Sequence, residues 1–179
     1  MAVSTNWCMK NCKRHLTIVE MVLFGMLAGL IFALQVVMGP LPNIEPVSLL
    51  VMLLAVTFGW KCLYVIYAFV ALEILYYGPS LWVINYLYIW TILAVAAIAM
   101  RKVQTPLVWA ILSAVFGLLF GALCGIVDIF IGGFGYAIAK WVSGIPFDVT
   151  HCIGNFVIAL VLFKPLRSLM EKLYAKVKR

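Results

Sequence analysis

Apolar residues run almost without interruption from Leu16 to Phe58, and ten residues, 39–48, break the run. They read Gly-Pro-Leu-Pro-Asn-Ile-Glu-Pro-Val-Ser, and three prolines in such a short stretch exclude a continuous helix. Leu41 and Glu45 each precede a proline and are pushed towards extended geometry, which stiffens the connection and fixes where Asn43 and Glu45 point. The pattern predicts a stiff lid over 39–48. An ordinary interhelical turn would use the same residue types.

After this break, continuous apolar stretches alternate with short polar or glycine-bearing punctuation. They predict helices over 17–38, 47–58, 62–77, 81–100, 107–128 and 147–163. Turns are expected at Gly59-Trp60-Lys61 and Gly78-Pro79-Ser80, with a glycine- and aromatic-rich connection over 129–146 and a basic amphipathic tail over 164–179. Strand-like alternation is absent, which disfavours a membrane β-barrel. The expected fold is an all-α integral membrane protein, one domain over residues 1–179 built as a six-transmembrane-helix bundle. The helix over 47–58 is short, because at 1.5 Å per residue it covers less than the roughly 30 Å hydrocarbon core.

Composition agrees with this reading: 66% of the 179 residues are hydrophobic and 11% charged, far from the balance of a soluble domain. The net charge of +7 does not point to nucleic acid, because the basic residues stand at the ends of apolar runs, where they orient a membrane protein. Six passes with both ends in the cytoplasm put Lys140 alone outside and the other twelve lysines and arginines inside. Residues 1–15 are then a cytoplasmic segment, and the first apolar run, without a small-residue cleavage site, is a retained helix rather than a signal peptide. Five scattered cysteines give no disulfide framework. Cys8, Cys12 and His15 lack a fourth ligand nearby, so no metal or cofactor is expected.

The acids and amides carry the candidate chemistry, because ionisable groups at membrane depth mark a pathway or a site by default. Glu73, with Phe69, Tyr76 and Tyr77 at helical spacing, is the foremost candidate; capping by Tyr76 or pairing with Lys140 would make it structural. Trp82, Asn85, Tyr86 and Trp90 form one stripe, joining flat aromatic surfaces to an amide. Ser113, Gly117, Gly121, Cys124 and Asp128 share a small-residue seam with an acid at its mouth. Asp148, His151, Cys152 and Asn155 form a polar stripe, in which His151 either contacts a ligand or bonds to Asp128 or Asp148. Gly25, Gly29 and Ala33 give the first helix a flat face for another helix, by default one of this chain. Phosphate-binding loops, zinc-protease motifs and a nucleophile elbow are missing, so an enzyme is not expected and any pumping needs an outside energy source.

Together these features resemble the substrate-binding S components of energy-coupling factor (ECF) transporters. Pro42-Asn43-Ile44-Glu45 leading into the second helix, and His151-Cys152-Ile153-Gly154-Asn155 followed by Leu162-Phe163-Lys164-Pro165-Leu166, carry the likeness most sharply. The resemblance implies a bacterial plasma-membrane receptor that captures a vitamin or similar micronutrient near the outer face under the loop after helix 1. It also implies a coupling transmembrane subunit and two ATPases as partners. Many members carry an alanine-x-x-x-alanine contact for that subunit, whereas this chain has Gly25, Gly29 and Ala33 in the matching place.

Asn43, Glu45, Glu73, Trp82, Asn85, Tyr86, Asp128, His151 and Asn155 are the expected substrate-binding set, suited to a planar heterocycle that donates hydrogen bonds and stacks on aromatics. Two other readings use the same residues. One is a scaffolding protein of the cell envelope whose polar cluster only secures the bundle. The other is an intramembrane enzyme built on Asp128 and His151.

Overall fold

The computed structural model describes residues 16–40 and 44–177. It is all helical, with no strand among the described residues. The elements are α1 (Ile18–Met38), α2 (Val47–Phe58), a 3-10 turn (Gly59–Lys61), α3 (Cys62–Tyr77), α4 (Leu81–Ala99) and α5 (Pro106–Val177). Four helical stretches, Ile18–Met38, Val47–Tyr77, Leu81–Ala99 and Pro106–Val177, are long and apolar enough to cross a membrane. They are compatible with a multi-pass membrane protein. The expected N-terminal segment 1–15, with Cys8, Cys12 and His15, lies outside the described residues, as does Asn43 of the lid.

Helix α1 begins with a capping box: the Thr17 hydroxyl accepts the Glu20 N–H at 3.1 Å, and the Glu20 carboxylate accepts the Thr17 N–H at 3.1 Å. This satisfies two of the N–H groups that a helix start leaves open. The face of α1 turned to the core is Glu20, Phe24, Ala28 and Ile31. Helix α2 is the opposite case, with Val47 to Leu49 and Val51 to Ala55 all buried. It is the centre of the bundle, packed on α4 and α5. Its 12 residues rise only about 18 Å, and a helix wrapped by protein need not match the hydrocarbon thickness itself. The exposed faces of the outer helices are apolar, including Val22, Met26, Leu75, Leu118 and Phe130.

Two reversals set the ends of the molecule. Gly59 adopts φ 59°, a conformation that costs a side-chain-bearing residue strain, and ends α2. Beyond it α3 runs back, so that Lys61 meets Glu20 at one end while Glu73 lies near Glu45 at the other. In α5, Gly133 has φ 81° and ψ 176°, outside helical geometry. The contacts Asp128–Lys140, Gly121–Asp148, Ser113–Asn155, Trp109–Phe163 and Val103–Arg167 all have midpoints between residues 134 and 136. The segments on either side of Gly133, 106–132 and 134–177, therefore lie antiparallel.

The expected connection over 129–146 is corrected here, because those residues are helical on both sides of Gly133. One glycine at positive φ makes the turn, and Pro146 is accommodated inside the helix. The expected end of the last helix near Phe163 is corrected in the same way, since the helix continues through Pro165 to Val177.

The seam expected on the first segment of α5 is present. A Cβ on Gly117 would stand 2.9 Å from the His151 carbonyl, and one on Gly121 would stand 2.5 Å from an Asp148 carboxylate oxygen. Only glycine lets the two segments approach this closely. Gly25 and Gly29 behave differently: a Cβ on either meets nothing within 4 Å, and Gly25 and Ala33 are exposed. Among the described residues, the Gly25–Gly29 face of α1 is therefore not matched to another helix.

Candidate functional site

The polar residues separate to opposite ends of the bundle. At one end Lys61 donates to both Glu20 oxygens at 2.7 and 2.9 Å, and the Tyr174 hydroxyl donates to the same carboxylate at 3.0 Å. Arg167 donates to the carbonyls of Val103 at 2.8 Å and Arg101 at 3.2 Å and pairs with Glu171 at 2.9 Å. Every acid described at this end has a cationic partner.

The other end is built differently. An aromatic wall follows one face of α4, where Trp82 meets Tyr86 at 5.0 Å and Tyr86 meets Trp90 at 5.3 Å between ring centroids. The wall continues from Trp90 to Phe120 at 5.9 Å and from Phe120 to His151 at 5.0 Å. Phe69 of α3 stacks on Tyr86 from behind. Helical spacing of four places the α4 rings in one row.

Around this wall stand groups whose hydrogen-bonding capacity is unused. Glu73 is fully buried, and neither of its carboxylate oxygens has a partner. Gln35 donates from Nε2 to the Tyr86 hydroxyl at 3.1 Å, leaving its buried Oε1 without a donor. Trp90 Nε1 and His151 Nε2 are also buried without partners. Glu45, at the end of the proline segment, sets Oε1 4.0 Å from His151 Nε2, beyond hydrogen-bonding distance. Burial, and then the negative charge of Glu73, push the Glu45 carboxyl up to about 7. Tyr86 lies within electrostatic reach of both carboxyl groups. Four groups with unpartnered polar atoms, from α1, α3, α4 and α5, thus converge with Glu45 of the loop on one aromatic row. Buried polar groups are ordinarily bonded, so such a concentration asks for a bonding partner.

The expected site residues divide on this criterion. Glu45, Glu73, Trp82, Tyr86 and His151 come together. Asn85 instead shares a hydrogen bond with the Tyr88 hydroxyl at 3.0 Å, and that hydroxyl also reaches the Leu123 carbonyl at 2.6 Å. Asp128 is held by Lys140 at 2.6 Å. Asn155 donates to Ser48 Oγ and to the Ser113 carbonyl, both at 3.2 Å, deep in the core. These three have partners within the protein: Asp128–Lys140 and Asn155–Ser48 join separate helical segments, and Asn85 and Tyr88 lie one turn apart on α4. Lys140 takes Asp128 and not Glu73, while His151 bonds to neither Asp128 nor Asp148. Asp148 accepts the Gly121 N–H at 3.0 Å.

Gln35 was missed by sequence reasoning although its signal was present, as an amide inside the apolar run of α1. Trp90 was placed on the stripe but not in the site. Among the described residues no cluster of His, Cys, Asp and Glu suits a metal ion. A groove of about 380 Å³ lies apart, on the outer side of the α3–α4 corner, lined by Ile74, Pro79, Ser80, Leu81, Val83, Ile84 and Leu87. No family model, curated protein or solved structure matches the chain.

Proposed function

We propose that this chain is the ligand-capturing subunit of an importer of the ECF type, a six-pass bacterial plasma-membrane receptor for a vitamin or similar micronutrient. Both ends lie in the cytoplasm in this reading, which counts the turns at Lys61 and Gly133 as returns across the bilayer. The end holding Glu20, Lys61 and Arg167 is cytoplasmic, in keeping with its excess of lysine and arginine. The end holding Glu45, Glu73 and His151 faces outward.

One observation carries the reading: Glu73, fully buried, has no partner for either oxygen. Leaving one buried polar group unpaired costs about 1–3 kcal/mol, and more for a charged one. The surrounding Gln35, Trp90 and His151 share the deficit. A ligand that donates to the carboxyls and to Gln35 Oε1, accepts from Trp90 Nε1 and lays a flat face on Trp82 and Tyr86 relieves them together. The chain has no nucleotide-binding motif, so release inside requires a separate coupling subunit and two ATPases, with Gly25, Gly29 and Ala33 as the docking face.

The open face of Gly25 and Gly29 also suits a scaffolding protein that binds partner helices without a small ligand. Pull-down of the tagged chain from its native membrane separates the two. The importer reading requires a membrane subunit and two ATPases in fixed proportion. Recovery of cell-envelope proteins with no ATPase among them supports the scaffold instead.

A further inference from the structure

The charge balance of the Glu45–Glu73 cluster specifies the ligand more closely. Two carboxyl groups, from the loop and α3, face the aromatic row. Among the described residues the basic side chain at this end is Lys140, and it is already taken by Asp128 at 2.6 Å. The other titratable groups around the cluster are Tyr77 of α3, Tyr86 of α4, and Cys124, Asp148 and His151 of α5. Of these, only His151 can become a cation, and it stands 4.0 Å from Glu45 without a hydrogen bond. An anionic ligand would repel any carboxylate formed here in a low-dielectric setting, where such repulsion is weakly screened. A neutral ligand would leave such a carboxylate without a counter-charge.

A positively charged nitrogen meets all three conditions at once. It balances the one carboxylate that a departing proton leaves, donates to Glu73 if it carries hydrogens, and is attracted to the faces of Trp82, Tyr86 and Trp90. Metal ions fit poorly, since no three ligating side chains converge among the described residues.

We propose that the polar cluster takes an organic cation, its charged nitrogen seated between Glu45 and Glu73 against the Trp82–Tyr86–Trp90 row, and that its entry displaces a proton from the carboxyl pair. The balance is simple: cation and protonated pair go in, and the complex and one proton come out. This rests on the receptor reading above.

The test uses the full chain in phosphatidylcholine nanodiscs, titrated with benzylammonium, benzyl alcohol, benzoate and sodium ion, and followed by heat and tryptophan fluorescence. Saturable binding is expected for benzylammonium alone. Its affinity should rise about tenfold between about pH 6 and about pH 8, as follows for one proton leaving a group that titrates at about 7. Glu45→Gln should flatten this pH dependence, and Glu73→Gln should weaken binding at least about tenfold. Both variants should keep the wild-type melting temperature or exceed it, which separates lost binding from lost folding.

Equal binding of benzyl alcohol, benzoate or sodium would overturn the inference, as would a benzylammonium affinity unchanged by both substitutions. So would failure of benzylammonium to bind. If a neutral or anionic molecule then co-purifies with the wild type and is lost in Glu73→Gln, the cation claim falls and the receptor stands. If no small molecule of any charge binds, both fall.

Discussion

Gly121 and Asp148 lie 27 residues apart and meet where the two segments of α5 cross: the backbone N–H of Gly121 donates to Asp148 Oδ1 at 3.0 Å. The contact needs a residue without a side chain, because a Cβ would fall 2.5 Å from Asp148 Oδ2. Gly121→Ala is therefore expected to destabilise the protein by about 1–3 kcal/mol, the range for overpacking a fitted interface. Gly25→Ala is the control. Its Cβ meets nothing, and relief of glycine's helix penalty should leave it neutral or up to about 1 kcal/mol more stable. Thermal melts in detergent compare the two.

The same contrast defines what the α1 face does. Gly25→Phe adds a large ring to an open, exposed surface and should leave the stability within about 0.5 kcal/mol of wild type. Under the proposed function it blocks recovery of the coupling subunit in pull-down. A fall in stability would show instead that the face is already in use.

Glu20 is buried beneath Lys61 and Tyr174. Lys61→Met removes the cation and leaves the carboxylate with a hydroxyl and its own capping bond. Breaking a fully buried pair costs about 3–5 kcal/mol, but the Lys61 side chain is 22% exposed, so a loss of about 1–3 kcal/mol is expected. The double variant Glu20→Gln, Lys61→Met should recover part of it. Chemical denaturation of the two variants gives the comparison, and an additive loss would contradict the pairing argument.

Glu45 gives stability a defined dependence on pH. Its folded value of about 7 lies above the ordinary 4.5, so between these limits the folded chain holds a proton that the unfolded chain has released. Stability is greatest below about pH 4.5, declines as pH rises to about 7, and is level above that, with a total change of at most about 3 kcal/mol. Glu45→Gln should remove this slope. Melting temperatures taken across the window provide the check, and an unchanged slope in the variant would assign it to another group.

The ends of the first four helices were legible because the chain marks them locally. Gly59 and Gly78 close helices, and Leu81 follows a proline-bearing turn. The connection over 129–146 was not legible. Its glycines and aromatics read as loop composition, yet only Gly133 leaves the helix, and which of several glycines takes positive φ is settled by the pairing of distant residues such as Trp109 with Phe163. The site was legible to the level of residue type. Glu73, Tyr86 and His151 stand out as polar or amphipathic groups in apolar helices. Whether each is spent on the protein depends on tertiary partners that spacing does not reveal. Asn155 finds Ser48 across 107 residues and is satisfied; Glu73 finds no partner.

That difference orders the site variants. Asn155→Ala should lower stability by about 1–3 kcal/mol, because it strips the buried Ser48 hydroxyl of its partner, whereas Asn85→Ala should cost less, since Tyr88 keeps the Leu123 carbonyl. Glu73→Gln removes an unpaired carboxylate and should not destabilise.

The most direct test of a hosted ligand is native mass spectrometry of the wild-type chain beside Glu73→Gln, each released gently from nanodiscs. The account predicts one added small molecule per wild-type chain and none on the variant. A wild-type chain that carries no small molecule, or a variant that retains the same one, would contradict it.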